Sequence, residues 1–552
     1  MGERVYGLLG RKLGHSWSVP IHTALGCAGY RLIELEPEEL APFLRREDIG
    51  GLNVTIPYKR DVMPLCDVID PAAEAIGSVN TIVRRPDGKL MGCNTDIDGF
   101  CYMARRAGIS LAGKKVVILG SGGASLTAQA AARQEGAAEI TVISRSGPDN
   151  YENLGRHADA QVLVNTTPVG MYPKNGEQPV DLAVFPALEG VLDVIYNPRR
   201  TALLLQAESL GIPRSDGLPM LVAQAVAAEE RFFGKAIPAS ENERILAQLR
   251  REMTNIVLIG MPGSGKTTVG EALSRLTGRE AVDLDQMIEA DAGCSIPEIF
   301  AREGERGFRA REAAAAAEAG KRTGVILLTG GGIVKTAANY GALHQNGRIY
   351  QLVRDLSLLP TEGRPLSQGA DLQAMWRERA PLYQRFRDAE IDNSGTVEDT
   401  AAAIWRDFVN ILVLNGPNMN MLGIRQPEIY GHETYEDLKA MIQAEADRLG
   451  VTVSFFQSNH EGALVDAIQQ AYFDHVDGII INPAAYTHTS VALLDAVKAV
   501  GIPTVEVHVS DPDSREDFRH VSYIRAACTA TIRGHGLPGY VEALRLLCGA
   551  GA

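Results

Sequence analysis

No run of eighteen apolar residues occurs in the 552-residue chain, so the sequence predicts no membrane-spanning helix. MGERVYGLLG at the amino terminus enters a strand-like run without a signal peptide. Tyr6 stands where an N-myristoylation site needs serine or threonine. C-x-x-C and zinc-like Cys/His spacings are both missing; the seven cysteines are scattered and odd in number, which predicts reduced, mostly buried thiols in a cytoplasmic protein. An excess of basic charge is missing too. The formal net charge of −14 argues against a nucleic-acid surface and favours a soluble chain with local basic pockets for anions. With 45% hydrophobic and 22% charged residues, neither a disordered nor a fibrous chain fits. The length is too great for one core and predicts about three or four domains.

What is present starts at the middle of the chain. Ile256 to Ile259 is a short buried-strand run, and Gly260 to Thr267 matches G-x-x-x-x-G-K-S/T in full. Val269 to Leu276 follow with helical spacing. Strand, glycine-rich turn and helix together make a phosphate-binding loop, because glycines let backbone N–H groups wrap an anion at a helix N-terminus. Lys266 would reach the β/γ-phosphates and the Thr267 hydroxyl would hold Mg²⁺. This part of the chain handles a nucleoside triphosphate.

Before it, KKVVIL (Lys114–Leu119), Gly120-Ser-Gly-Gly-Ala-Ser125, a helical AQAAARQEG and the strand EITVIS form a βαβ unit with a glycine-rich first turn. A dinucleotide pyrophosphate would rest on that helix N-terminus. Arg145 stands at the second strand's end, where an NAD site would carry Asp or Glu, and a cation there favours NADP. Upstream, His15-Ser-Trp-Ser18, Asn53-Val-Thr55-Ile-Pro-Tyr-Lys59, Val79-Asn80-Thr81 and Asn94-Thr-Asp96 each follow an apolar run. They are expected to converge at the carboxyl ends of a parallel sheet and to suit a small polyol acid. A lysine near an aspartate gives a proton-transfer pair for a carbonyl being reduced.

HSWS, NVTIPYK, SVNT, CNTD, GSGGAS, NTTPVGM and GLPMLVAQA, in this order over residues 1–250, resemble shikimate dehydrogenase. The resemblance implies a substrate lobe (about 1–105), an NADP lobe (about 106–215) and return helices to 250. It implies that Ser16 and Ser18 bind the substrate carboxylate, that Thr55, Asn80 and Gln224 bind ring hydroxyls, and that Lys59 and Asp96 are the catalytic pair. NADPH would lie on Gly120, Ser121, Gly122, Gly123, Ala124 and Ser125, with Arg145, the Asn165-Thr166-Thr167 loop and Gly217. Trp17 stands where the family often has lysine, and SRSGPDN lacks the second basic residue of many NADP-using members. Lys235 to Met253 reads as a closing helix and connector.

In the segment 254–408, the strand Val325–Leu328 ends in Thr329-Gly-Gly-Gly332 instead of the aspartate of motor ATPases and GTPases. Acidic residues come earlier, as Asp283 and Asp285, and Arg309, Arg364 and Arg379 are spaced to bind carboxylate and phosphate. GMPGSGKTT, DLD, GFRARE, TGGGI, EGRPL and RERAPLY resemble shikimate kinase. The resemblance implies that Asp285, Arg309, Gly331, Gly332 and Arg379 bind shikimate, with Asp285 orienting its 3-hydroxyl. ATP and Mg²⁺ would take Gly263, Ser264, Gly265, Lys266, Thr267 and Thr268. Arg364 belongs to a lid, roughly 358–368, that closes to exclude water.

Residues 410–552 alternate strand and helix from ILVLNG onward, which predicts a flavodoxin-like parallel sheet without a nucleotide turn. Asn418, Arg425, Tyr430, Asn482, His488, His508 and Arg519 fall at strand ends, and Glu506 is two residues from His508 on one strand face, where it could fix the tautomer. LNGPNMNMLG, RQPEIYG, YTHTSVALLDA and EVHVSDPDSREDFR resemble type II 3-dehydroquinate dehydratase. The resemblance implies trans elimination through an enolate: Tyr430 takes the C2 proton, Arg425 lowers its pKa, Asn418 holds the enolate-stabilising water and His508 protonates the leaving hydroxyl. Asn482, His488, Ser510 and Arg519 would bind substrate. It also implies a homo-oligomer built from trimers, up to a dodecamer, in which Asp495 reaches a neighbour's site.

The sequence therefore predicts three α/β modules and a multifunctional enzyme taking 3-dehydroquinate to shikimate 3-phosphate with NADPH and ATP. The substrates are small molecules, with no nucleic acid and no membrane. Two alternatives stand beside this: one module that only binds ligands, or a first module that prefers quinate.

Overall fold

The computed structural model describes residues 4–14, 16–27, 29–358, 372–426, 431–512 and 516–549. The chain forms two compact units, 1–394 and 395–552. Three sheets lie in the first unit and one in the second.

The first sheet joins β1 (Val5–Gly10), β2 (Tyr30–Glu34), β3 (Ile49–Val54), β4 (Val68–Ile69), β5 (Thr81–Arg84) and β6 (Leu90–Cys93) in the order β2-β1-β3-β5-β6-β4. It is not the wholly parallel sheet read from the sequence. β5 runs antiparallel to both β3 and β6, so Asn80 precedes a strand instead of following one. The reversal sets Asn53 opposite Thr81 and brings the start of β5 beside the end of β3. The cluster thus reaches the same edge by another route. Pro86-Asp87-Gly88 between β5 and β6 is the hairpin signal that announces this.

The second sheet joins β7 (Lys115–Leu119), β8 (Glu139–Ile143), β9 (Val162–Asn165), β10 (Gly190–Asp193) and β11 (Arg214–Ser215), all parallel, in the order β11-β10-β9-β7-β8. From β7 the chain winds one way and from β9 the other. A crevice for a ligand therefore opens between the carboxyl ends of β7 and β9. The helix Leu218–Phe233 then packs Leu218, Val222 and Val226 against Ile21, and the helix Ser240–Met253 adds Ile245, Leu246, Leu249 and Met253 to the same core. The segment after 235 is thus a packed helix as well as a connector.

The third sheet joins β12 (Asn255–Ile259), β13 (Ala281–Asp283), β14 (Ile326–Leu328), β15 (Gly347–Val353) and β16 (Ala389–Asp392), all parallel, in the order β13-β14-β12-β15-β16. Every residue of β12 is buried, which explains an apolar run without alternation.

In the second unit β17 (Asn410–Asn415), β18 (Thr452–Gln457), β19 (Gly478–Asn482), β20 (Thr504–His508) and β21 (Ala530–Arg533) are parallel in the order β18-β17-β19-β20-β21. That is the flavodoxin-like order expected from the sequence. Ile411 and Val413 pack on one face and Leu412 and Leu414 on the other, each face covered by helices. The helix Val397–Trp405, at the end of the kinase-like segment, falls in this unit. All seven cysteines are free thiols.

Candidate active sites

At the edge of the first sheet, Lys59 Nζ donates to Asp96 Oδ2 at 2.6 Å. Asp96 opens the helix Asp96–Arg106, and its other oxygen accepts from Asn80 Nδ2 at 2.9 Å. The same amide nitrogen lies 3.5 Å from Gln224 Oε1, on the helix Leu218–Phe233. Asn80 Oδ1 is fixed in turn by Thr95 N at 2.7 Å and by the Thr81 hydroxyl at 3.1 Å. Asn80 is buried, so its amide holds one orientation. Four predicted residues are therefore in one hydrogen-bonded group. Thr55 lies at the same edge, its N–H bonded to Leu9 O, and Ser16 Oγ accepts from Ser18 N at 3.2 Å just past β1.

Between the carboxyl ends of β7 and β9 the Gly120 turn meets the Asn165–Thr167 loop. Gly120 has φ +103°, and a Cβ there would meet Thr166 Oγ1 at 2.9 Å and Thr167 Cγ2 at 3.1 Å. Only glycine lets this turn lie against the Asn165–Thr167 loop. Thr166 N and Oγ1 both bond to Leu119 O. Gly122 and Gly123 face open space at the N-terminus of the helix Gly123–Gln134. Ser121 is exposed, Ala124 half-buried and Ser125 buried; Arg145 is exposed just beyond β8. Gly217 N donates to Ile195 O at the start of the helix Leu218–Phe233. Behind the loop, Asn165 Nδ2 donates to Asp193 Oδ1 at 3.0 Å. Burial pushes the Asp193 carboxyl up to about 7 against its hydrogen bonds.

A cleft of about 580 Å³ follows β12 and β14. Gly263, Gly265, Lys266, Thr267, Thr268, Asp285, Arg309, Gly331, Gly332 and Arg379 all line it. Lys266 Nζ donates to the loop carbonyls of Gly260 and Met261. A Cβ on Gly332 would lie 2.3 Å from the Arg309 guanidinium, so the glycine lets that cation cross the backbone. Arg379 Nη1 and the Tyr383 hydroxyl both bond to Gly331 O. Burial, reinforced by the Asp283 charge, holds the Asp285 carboxyl above its usual range against the pull of Lys266. Ser264 is buried and lines a neighbouring cavity that shares Arg354 with the cleft, and its carbonyl accepts from Asn393 Nδ2 at 2.6 Å. Arg364 and the lid from 359 onward lie outside the described residues. Glu312 was not among the predicted site residues. It is buried, pairs with Arg309 Nη1 at 2.6 Å, and stands one residue beyond Arg311 in GFRARE, so its i,i+3 spacing from Arg309 was the available signal.

In the second unit a cavity of about 110 Å³ is lined by Asn418, Arg425, Asn482, His488, His508, Ser510 and Arg519. Glu506 Oε1 is 2.9 Å from His508 Nε2, as the strand spacing predicted, and also accepts from Ser522 Oγ at 2.5 Å. Its other oxygen accepts from Thr531 Oγ1. Burial opposes the charge on Glu506, but the hydrogen bonds from His508, Ser522 and Thr531 outweigh it and hold the carboxyl below its usual range. Neither Ser522 nor Thr531 was singled out from the sequence; Thr531 lies on β21, whose ATIR has no apolar run to mark it. His488 Nδ1 lies 2.7 Å from Val521 O, and burial lowers its pKa. Asn482 Nδ2 donates to the buried Tyr540 hydroxyl at 3.0 Å, which donates on to Asn415 Oδ1. Asp495 is exposed on the helix Val491–Val500 and is not part of this cavity's lining. Tyr430 lies outside the described residues.

Family models match three stretches: the shikimate dehydrogenase substrate binding domain at 8–82, shikimate kinase at 262–409 and dehydroquinase class II at 409–548. The 3-dehydroquinate dehydratase of Caldicellulosiruptor bescii is 56% identical over 137 residues, covering 25% of this chain and 94% of the relative. That of Corynebacterium glutamicum is 57% identical over the same shares. Among solved structures, shikimate dehydrogenase 1 from Peptoclostridium difficile is 37% identical, covering 45% of this chain and 98% of its own, with a TM-score of 0.41. The Thermus thermophilus shikimate 5-dehydrogenase in complex with NADP(H) and shikimate is 30% identical, covering 44% and 98%, with a TM-score of 0.41.

Sheets and sites together define a multifunctional α/β enzyme with oxidoreductase, kinase and lyase parts. The chain belongs to the type II dehydroquinase family through its carboxyl-terminal part, its other two parts match the shikimate kinase and shikimate dehydrogenase substrate binding domain models, and it is a multifunctional enzyme of the shikimate pathway.

Proposed function

We propose that this chain carries out three consecutive steps toward chorismate and the aromatic amino acids. It dehydrates 3-dehydroquinate, reduces the product to shikimate with NADPH, and phosphorylates shikimate with ATP. The observation that carries the reading is that each of the three parts builds its own site: the Lys59–Asp96 contact, the Lys266 cleft and the Glu506–His508 cavity.

In the dehydratase site Tyr430 takes the C2 proton, Arg425 assists it, and the enolate is stabilised through water at Asn418. His508, oriented by Glu506, protonates the departing hydroxyl. Asn482, His488, Ser510 and Arg519 hold the substrate. In the dehydrogenase site Lys59 gives its proton to the carbonyl oxygen as it becomes an alcohol, and Asp96 keeps the ammonium aimed. Ser16, Ser18, Thr55, Asn80 and Gln224 position the ring. When bound, NADPH supplies the reducing equivalents. The open N-terminus at Gly122 and Gly123 fits its pyrophosphate, and exposed Arg145 fits a 2′-phosphate.

In the kinase site Lys266 steadies the transferring phosphoryl group, while Arg309 and Arg379 bind the acid. The raised Asp285 carboxyl accepts the proton of the attacking hydroxyl. Thr267 lines the cleft with Asp283 and Asp285, an oxygen-rich set that suits Mg²⁺, whose charge offsets that of the phosphates. Arg364 would join from the lid. The second unit is proposed to assemble in trimers, up to a dodecamer, with exposed Asp495 available to a neighbour.

Variants of the full chain, supplied with 3-dehydroquinate, NADPH and ATP, test the assignments. Tyr430→Phe is expected to leave dehydroquinate unused, Lys59→Ala to stop at dehydroshikimate and Lys266→Ala to stop at shikimate. Normal shikimate 3-phosphate formation by any one variant would remove that site's assignment.

A further inference from the structure

Three consecutive polar residues of the kinase part, His344, Gln345 and Asn346, are 3%, 5% and 0% exposed. They connect the helix Ala338–His344 to β15, a place where polar residues ordinarily face water. Besides contacts within the kinase part, they are hydrogen-bonded by the dehydrogenase segment 197–201, just beyond β10. Arg199 N donates to Asn346 Oδ1 at 3.0 Å, and Arg200 N to Gln345 O at 2.9 Å. Arg200 Nη1 donates to His344 O at 2.7 Å, Arg199 Nη1 to Thr254 Oγ1 at 2.8 Å and Asn175 Nδ2 to Gln345 Oε1 at 2.7 Å. The His344 ring lies between two carboxylates, 3.5 Å from Glu208 on the dehydrogenase side and 3.4 Å from Asp388 on the kinase side.

This seam leads to the dinucleotide crevice. Thr201, next to Arg200, is 1% exposed, and its hydroxyl donates to Asp193 Oδ2 at 2.7 Å. The other oxygen of Asp193 accepts from Asn165 Nδ2, and Asn165 opens the loop that closes on Gly120. Each link is buried, so each holds one geometry, and a partner left unpaired there is costly.

We propose that the kinase loop 344–347 is a built-in partner surface for the dehydrogenase's dinucleotide lobe, with Thr201 and Asp193 as positioning residues that carry its docking to the loop 165–167. Kinase docking fixes 197–201, and Thr201 through Asp193 then sets that loop against Gly120. Affinity for NADPH thereby depends on a contact far from the dinucleotide, while the kinase cleft does not depend on it. The proposal rests on the dinucleotide reading of the Gly120 turn.

The test uses the full chain carrying Arg200→Met, which weakens the seam but keeps the apolar stem, and Thr201→Val, with Thr201→Ser as the conservative control. NADPH binding is measured by cofactor fluorescence, and amide exchange without cofactor is followed at 165–167. Both Arg200→Met and Thr201→Val are expected to bind NADPH about fivefold to tenfold more weakly. Exchange at 165–167 should quicken, and Thr201→Ser should match the unsubstituted chain. Shikimate kinase kcat/KM is expected to stay within twofold for Thr201→Val. Thr201 also caps the helix Ala202–Ser209. Faster exchange confined to 202–209, with 165–167 unchanged, would be lost capping alone and would overturn the proposal. Unchanged NADPH affinity with faster exchange at 165–167 would keep the relay and discard the dinucleotide reading of that loop. Unchanged exchange in Arg200→Met would discard the seam's role.

Discussion

Lys59 Nζ and Asp96 Oδ2 stand 2.6 Å apart, and the second oxygen of Asp96 is held by Asn80. The carboxylate therefore cannot swing away without breaking a buried amide contact. It holds a lysine whose side chain remains 28% exposed and so open to the surroundings.

Asp96→Asn keeps the shape and removes the charge that orients Lys59. Dehydrogenase kcat is expected to fall on the order of 100- to 1,000-fold. Kinase and dehydratase rates measured on the same preparation should be unchanged, and an equal fall in all three would point to misfolding and contradict the assignment.

Arg309 ties recognition to stability in the kinase cleft. Arg309→Ala removes a proposed substrate contact and leaves buried Glu312 without its partner. The shikimate KM is expected to rise about tenfold to a hundredfold, with a loss of about 1–3 kcal/mol in the first unit. Arg309→Met with Glu312→Leu should restore most of the stability by denaturant titration but none of the binding.

Glu506→Gln tests the dehydratase acid. With the carboxylate gone, His508 keeps a neighbour but loses its charged anchor, and kcat should fall about tenfold to a hundredfold. Because Glu506 is held below the usual carboxylate range, its stabilisation is present above the ordinary carboxylate pKa and disappears as pH falls through the lower folded value. The melting temperature of the second unit should therefore hold at pH 5 and drop only in stronger acid, and Glu506→Gln should flatten that drop.

His344 gives the opposite sign. Burial pulls its pKa down, but the contacts with Asp388 and Glu208 outweigh burial and hold it above the ordinary histidine value. The stabilisation is then complete below the unfolded pKa and is lost as pH rises through the folded one. Scanning from about pH 6 to about pH 9 should lower the melting temperature of the first unit. His344→Gln should remove most of that slope, and a wild-type slope of the opposite sign would contradict the ion-pair assignment.

Legibility in the sequence followed the range of the interactions. The phosphate loop and the Glu506/His508 spacing depend on neighbours a few residues away, and each stands where its motif implied. Asn80 was legible as a site residue but the direction of its strand was not, because that direction depends on the antiparallel pairing of β5 with β6, which also sets Asn80 beside Asp96. Glu312 had a local signal, its i,i+3 spacing from Arg309, whereas Thr531 and Asn393 act through partners supplied by folding, and nothing in their immediate surroundings set them apart. His344, Gln345 and Asn346 carry no motif, and their bonds to Arg199 and Arg200 come from more than 140 residues earlier in the chain.

The most direct test of the central claim is a stoichiometry. Carbon-13-labelled 3-dehydroquinate is incubated with the full chain, NADPH and ATP, and products are followed by NMR. The account predicts shikimate 3-phosphate, with one NADPH oxidised and one ATP consumed for each dehydroquinate. Accumulation of dehydroshikimate or shikimate at saturating NADPH and ATP, with no phosphorylated product, would contradict it.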